Sequence, residues 1–220
     1  PNLYRAIGEE PKTQELVPGE HEVRAAVYQP LHTGADAIEE VATALRTLSS
    51  DVALLVLPEL FCFEEAVIGP NQAEAQRRSD AAIEALIAAC PSQTVVITSL
   101  LRNGRNTGLV LSSVGILLEQ EQLHACARHG DTHAVGTGIE VLQLAWGRLA
   151  VVVGDDALYP ESFRLAALSG AEVVASPVHV IEAWEVETGL PERAAENRVS
   201  LVYATRSQVG TSAVLGLHHD

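Results

Sequence analysis

The sequence predicts an α/β fold, a layered sandwich with mixed sheets. Three observations carry this. Strands alternate with amphipathic helices over the first hundred residues. Hairpins interrupt in the middle. A second strand–helix series closes the chain. With 220 residues, 47% of them hydrophobic, the chain is long enough for one large core.

Residues 1–20 hold three prolines and several glutamates without an apolar period, and read as an N-terminal arm. Residues 21–220 read as one domain. His21–Gln29 is predicted as the first strand. Gly34–Leu48 places Ile38, Val41, Ala42, Leu45 and Leu48 at helical spacing. Val52–Leu57 (VALLVL) is a continuous apolar run, as expected of a strand covered on both faces. Asn71–Ala89 is a long amphipathic helix. Gln93–Leu100 is a strand, followed by the turn Arg102–Asn106 (RNGRN). Leu109–Ser112 and Ile116–Glu119 form a hairpin around Gly115. Glu140–Leu144 and Leu149–Val153 form another, turning at Trp146–Arg148. Pro160–Ser169 is a helix with Pro near its start and Gly170 just past its end. Glu172–Ser176 is a strand. Ile181–Arg198 is helical, with Pro191 marking a break. Leu201–Arg206 and Thr211–Leu217 are the last strands.

Charge narrows the partners. The formal net charge is −15, and Lys12 is the sole lysine. Phosphate backbones and anionic lipid surfaces need clustered Lys/Arg, so nucleic acid and membrane are not expected partners. Aromatic content of 4% offers no base-stacking surface. No apolar run approaches the ~20 residues that span a bilayer. Cys62, Cys90 and Cys126 show no paired framework, which fits a reducing, cytoplasmic setting.

Sites in open α/β sheets collect past the carboxyl ends of strands. Two strand ends stand out. Val52–Leu57 leads into Pro58-Glu59-Leu60-Phe61, placing a carboxylate there. The stretch VVVGDDALYPES, residues 151–162, leads a buried strand into Gly154-Asp155-Asp156 and then a helix. Asp156 reads as a structural cap, and Asp155 as able to hold water. The stretch LHACARHGDTH, residues 123–133, concentrates ligand types. His129, Asp131 and His133 share period-two spacing and are weak metal candidates. A polar loop is the favoured reading, and no metal or other cofactor is assigned.

The ordered segments VRAAVYQP, DVALLVLPELF, TGLVLSSVGILLEQEQLH, WGRLAVVVGDDALYPESFRLAALSGAEVVASP and ERAAENRVSLVYAT resemble the nitrilase, or carbon–nitrogen hydrolase, superfamily. The resemblance covers about residue 22 to the C-terminus. It implies a four-layer α-β-β-α sandwich. It also implies acyl transfer from an amide or nitrile, in which a Cys attacks, a Glu acts as base and a Lys steadies the tetrahedral intermediate. By this resemblance Glu59 is the retained base position. Gly154 stands at the nucleophile position and Gln122 at the Lys position, with Ala127 the alternative in a shifted register. Glu59, Asp155 and Arg128 are the candidate ligand-binding residues. The resemblance further implies a homodimer through the helix near 160–170, with Phe163, Leu165, Ala166 and Leu168 in contact. It implies too that the chain stops before the family's last elements, as a piece of a longer protein would.

Three functional readings follow. The first is a catalytically degenerate homologue that binds a small amide- or carboxylate-like ligand or serves as a scaffold or regulatory domain. The second is an active amidohydrolase rebuilt on Glu59, Asp155 and water or a metal. The third is an interaction domain with no small ligand. Covalent catalysis needs an activated nucleophile, and glycine supplies none, so the first reading leads.

Overall fold

A computed structural model describes residues 23–64, 71–125, 135–206 and 210–216. The arm at 1–20 lies outside the described residues, as do Lys12, Cys126, Arg128, His129, Asp131, His133 and the C-terminal 217–220.

Two five-stranded sheets are built from successive halves of the chain. The first half contains β1 (Arg24–Val27), α1 (Gly34–Arg46), β2 (Val52–Glu59), α2 (Gln72–Ala89), β3 (Val95–Arg102), β4 (Arg105–Ser112) and β5 (Gly115–Glu121). Strands β1, β2 and β3 are parallel, and β4 and β5 are added antiparallel. The second half contains β6 (Val141–Leu144), β7 (Gly147–Val151), α3 (Pro160–Leu168), β8 (Val173–Val178), α4 (Leu190–Asn197), β9 (Ser200–Thr205) and β10 (Ala213–Leu215). Here β7, β8 and β9 are parallel, with β6 and β10 antiparallel on the two edges. The mixed sheets expected from the alternating pattern are therefore present.

Period-two alternation makes the layers. In β2, Leu55 and Leu57 face α1 and α2, where they meet Val41, Leu45, Ile83 and Leu86. Leu54 and Val56 face the other way, into a layer shared with Val151, Val153, Val202 and Ala204 of the second sheet. In β7 and β9, Ala150, Leu201 and Tyr203 turn outward to Phe163, Ala166 and Ala194 of α3 and α4. The result is α-β-β-α, as expected. Each Leu or Val fully buried in these layers contributes roughly 1.5–3 kcal/mol relative to exposure. Gly108 on β4 lets the sheets close, since a Cβ there would meet Val151 and Val153 at 2.8 and 2.7 Å.

Helix ends follow local chemistry. The Asn71 side chain accepts the Glu74 N–H at 3.2 Å and starts α2. Pro160 opens α3. Pro191 does not break its helix. It occupies the first turn of α4, where its missing N–H is harmless, and a wide π turn at Glu185–Gly189 runs directly into it.

Candidate active site

The carboxyl ends of β2 and β7 meet where the sheets face each other. Glu59 closes β2 and is 0% exposed, which rules out a solvated strand end. Leu60 follows with φ +46°, a left-handed conformation rare for a bulky side chain. Its backbone is held on both sides. Leu60 N–H donates to Ser99 O at 3.0 Å, and Leu60 O accepts from Phe63 N–H at 2.8 Å and from the Arg206 guanidinium at 3.0 Å. Arg206 also donates to Phe63 O, so the end of β9 clamps the turn that aims Glu59.

A chain of amides runs from this carboxylate. Asn106 Nδ2 donates to Glu59 Oε1 at 2.7 Å and to Gln122 Oε1 at 2.7 Å. Gln122 N–H donates to Asn106 O at 3.0 Å, and its side-chain Nε2 donates to His124 O at 2.8 Å. Gln122 is thus one amide away from Glu59. Sequence reading took Asn106 only as a turn residue. The signal that would have found it is hairpin register, which sets Asn106 beside Gln122, next to the Thr107–Glu121 pair.

From β7 the chain passes through buried Val152 and Val153 into a 3₁₀ turn, Gly154–Leu158. Gly154 has φ +54°, which favours glycine. A Cβ on Gly154 would lie 2.9 Å from Glu59 Cδ and 3.3 Å from Oε2, with Oε1 nearer still. The space beside Gly154 is therefore filled by the Glu59 carboxylate. Asp155 is half-buried and lines a pocket with His179, Trp184, Leu190 and Arg193, whose described walls do not include Glu59.

Asp156 is 2% exposed, and its side chain caps neither the turn nor α3 as expected but holds a distant segment. Its carboxylate accepts Leu123 N–H at 2.7 Å, His124 N–H at 2.8 Å and His124 Nδ1 at 2.8 Å. It pins the segment after β5 to the turn after β7. Burial holds its pKa above the ordinary value, and the bonds from Leu123 and His124 oppose that rise.

Other sequence candidates separate from this cluster. Cys62 is fully buried, and desolvation pushes its thiol up to about 12, so it is inert packing. Cys90 is buried too, its thiol raised to about 11. Trp146 packs against the layer between the sheets. Glu196 and Asn197 bond within α4, to the Arg193 side chain and carbonyl. Among the described residues no group of three or more His, Cys, Asp or Glu is placed to hold a metal. Nor is any described helix long and apolar enough to cross a membrane.

No family model matches the sequence. A nitrilase from Pyrococcus abyssi (strain GE5 / Orsay) is 30% identical over 102 residues, 46% of this chain and 38% of that protein. The match thus spans well under half of that relative's length. Among solved structures, one mutant of the Nesterenkonia sp. AN1 amidase, from the nitrilase superfamily, superposes with TM-score 0.73 at 25% identity, covering 90% of this chain and 82% of that one. Another gives TM-score 0.78 at 24% identity, covering 88% and 83%. The chain is a nitrilase-superfamily homologue. Its two facing sheets and paired outer helices are the nitrilase fold. A further structure of the same amidase, with TM-score 0.73 at 24% identity over 84% of this chain and 78% of that one, carries acrylamide added at an active-site cysteine.

Proposed function

We propose that this carbon–nitrogen hydrolase homologue is catalytically degenerate and keeps the fold as a scaffold or regulatory domain. One observation carries the reading: the space over Gly154 is occupied by Glu59 itself. The related amidase uses a cysteine. Gly154 is taken as the corresponding position, and it offers neither a nucleophile nor room for one. Deleting the nucleophile of subtilisin costs on the order of 10⁶ in kcat. A Lys that steadies developing negative charge is worth further orders of magnitude, whereas Gln122 stands at that position and reaches Glu59 only through the amide of Asn106.

The second reading, a rebuilt amidohydrolase, loses support because Glu59 is sealed from solvent and Asp155 faces a different pocket. The test is a panel of aliphatic and aromatic amides and nitriles with purified protein. No ammonia release above buffer and no acyl adduct by intact mass are expected. Turnover of any panel member that Glu59→Gln abolishes would overturn the reading.

A homodimer through α3 is part of the proposal. Leu165 and Leu168 are 47% and 41% exposed on α3, with Leu158 and Tyr159 also exposed just before it. Phe163 and Ala166, expected at the same contact, are fully buried against their own sheet. Helical spacing puts them on the opposite face from Leu165 and Leu168.

A further inference from the structure

Asp156 needs only the two backbone N–H groups of Leu123 and His124 to latch the segment after β5 to the turn after β7. The imidazole of His124 adds something that latch does not require. Its Nδ1 lies 2.8 Å from Asp156 Oδ1. Its ring stacks on Tyr159 with centroids 3.7 Å apart and planes 6° from parallel. Its side chain is 34% exposed while its carboxylate partner is 2% exposed. Among the described residues Nε2 has no hydrogen-bond partner.

Each contact fixes a different degree of freedom. The carboxylate cannot turn, because both oxygens are held by backbone donors. It selects the tautomer with the proton on Nδ1 and leaves the Nε2 lone pair open. Tyr159 fixes the ring plane. A carboxylate-oriented imidazole with an open Nε2 is the arrangement by which proteins activate proton transfer and acyl transfer.

We propose that His124 is a nucleophilic imidazole, oriented by Asp156 and Tyr159, that accepts acyl groups from activated esters and releases them to water. The Nε2 lone pair adds to the ester carbonyl carbon. The carbon–oxygen bond to the aryloxide breaks, and the aryloxide leaves with the electron pair. The Nδ1 proton moves toward Asp156 as the acyl-imidazole forms. Water then adds to the acyl carbon, the carbon–nitrogen bond breaks, and a carboxylic acid departs, while Asp156 returns its proton to Nδ1 and the second proton of water passes to solvent. The proton count closes with water as the one co-reactant. Amines are far poorer leaving groups than aryloxides, so this chemistry does not extend to amides. It does not involve Glu59 or Gly154, so it stands or falls separately from the degenerate reading.

The probe is p-nitrophenyl acetate with the full chain. Aryloxide release is expected at about tenfold or more over an equal concentration of free imidazole, because the ring is held in one tautomer and orientation. His124→Gln should fall to background, while His32→Gln, which removes an exposed imidazole paired with Glu40, should not change the rate. Asp156 and Tyr159 are positioning residues. Asp156→Asn should lower the rate and change the pH at which it rises, not merely scale it. Circular dichroism melts establish that each variant is folded. If a variant is not, carbethoxylation of the wild-type protein with diethyl pyrocarbonate decides the matter, with the rate expected to fall in step with modification of His124 and to return with hydroxylamine. A His124→Gln rate equal to wild type, or a rate unchanged once His124 is carbethoxylated, would overturn the proposal.

Discussion

Gly154 and Glu59 are coupled through one shared space. A side chain at Gly154 meets both a left-handed backbone and the Glu59 carboxylate. The backbone alone costs about 1–2 kcal/mol for an L residue, so Gly154→Ala is expected to destabilise by at least that much in urea denaturation. Pairing it with Glu59→Ala should recover the steric part, giving a coupling of roughly 1–3 kcal/mol in a double-mutant cycle. Strict additivity would show that Glu59 does not fill the space. Asp156 gives a signed pH dependence. Its folded pKa is raised above 3.8 by burial. Its contribution to stability is therefore fully present below that ordinary value and is lost as pH rises through the folded pKa. Asp156→Asn should remove this downward component from a stability–pH curve. It should also cost about 1–3 kcal/mol, because the new amide N–H₂ opposes a backbone donor of Leu123 or His124. Glu59 and Gly154 were legible as residues in the sequence. Their contact was not, because Glu59 ends a strand of one sheet, Gly154 follows a strand of the other, and they are 95 positions apart by numbering.

At the scale of elements, the hairpin β4–β5 shows where pattern stops short. Sequence centred it on Gly115, and the strands do meet there, with Ser112 opposite Gly115. An irregularity between Val110 and Leu111 then shifts the pairing, so that Thr107 opposes Glu121. A one-residue slip reverses which face a side chain occupies. That step decides whether Asn106 and Gln122 meet under Glu59 or on opposite faces, and the alternation of apolar residues alone did not reveal it. Helix ends were more legible, because caps are local. Residue Arg198 is the exception. It closes α4 with φ +53° and an exposed side chain, where glycine is the common choice. Arg198→Gly is expected to stabilise the protein by about 0.5–1 kcal/mol, read as a raised urea midpoint at unchanged slope. A lowered midpoint would mean that the Arg198 side chain makes a contact worth more than the strain.

At the scale of the molecule, three apolar layers hold two sheets and their outer helices together. The proposed dimer belongs here. Light scattering at micromolar concentration should give twice the chain mass, and Leu165→Arg should give the monomer with its melting temperature little changed. A wild-type monomer would refute the α3 interface. The order of strands and helices, the double burial of β2 and the carboxylate at its end were determined by the sequence alone. Each rests on a period or a cap that local residues encode. Resemblance added the pairing of those strand ends into one site. Only the tertiary structure decided what that site contains. It set Glu59 in the space over Gly154, placed Asn106 between Glu59 and Gln122, turned Phe163 inward and Leu165 outward, and stacked His124 on Tyr159 above Asp156. These are contacts between segments distant in the chain. They depend on how two twisted sheets face each other and on register steps of a single residue, which no local pattern fixes.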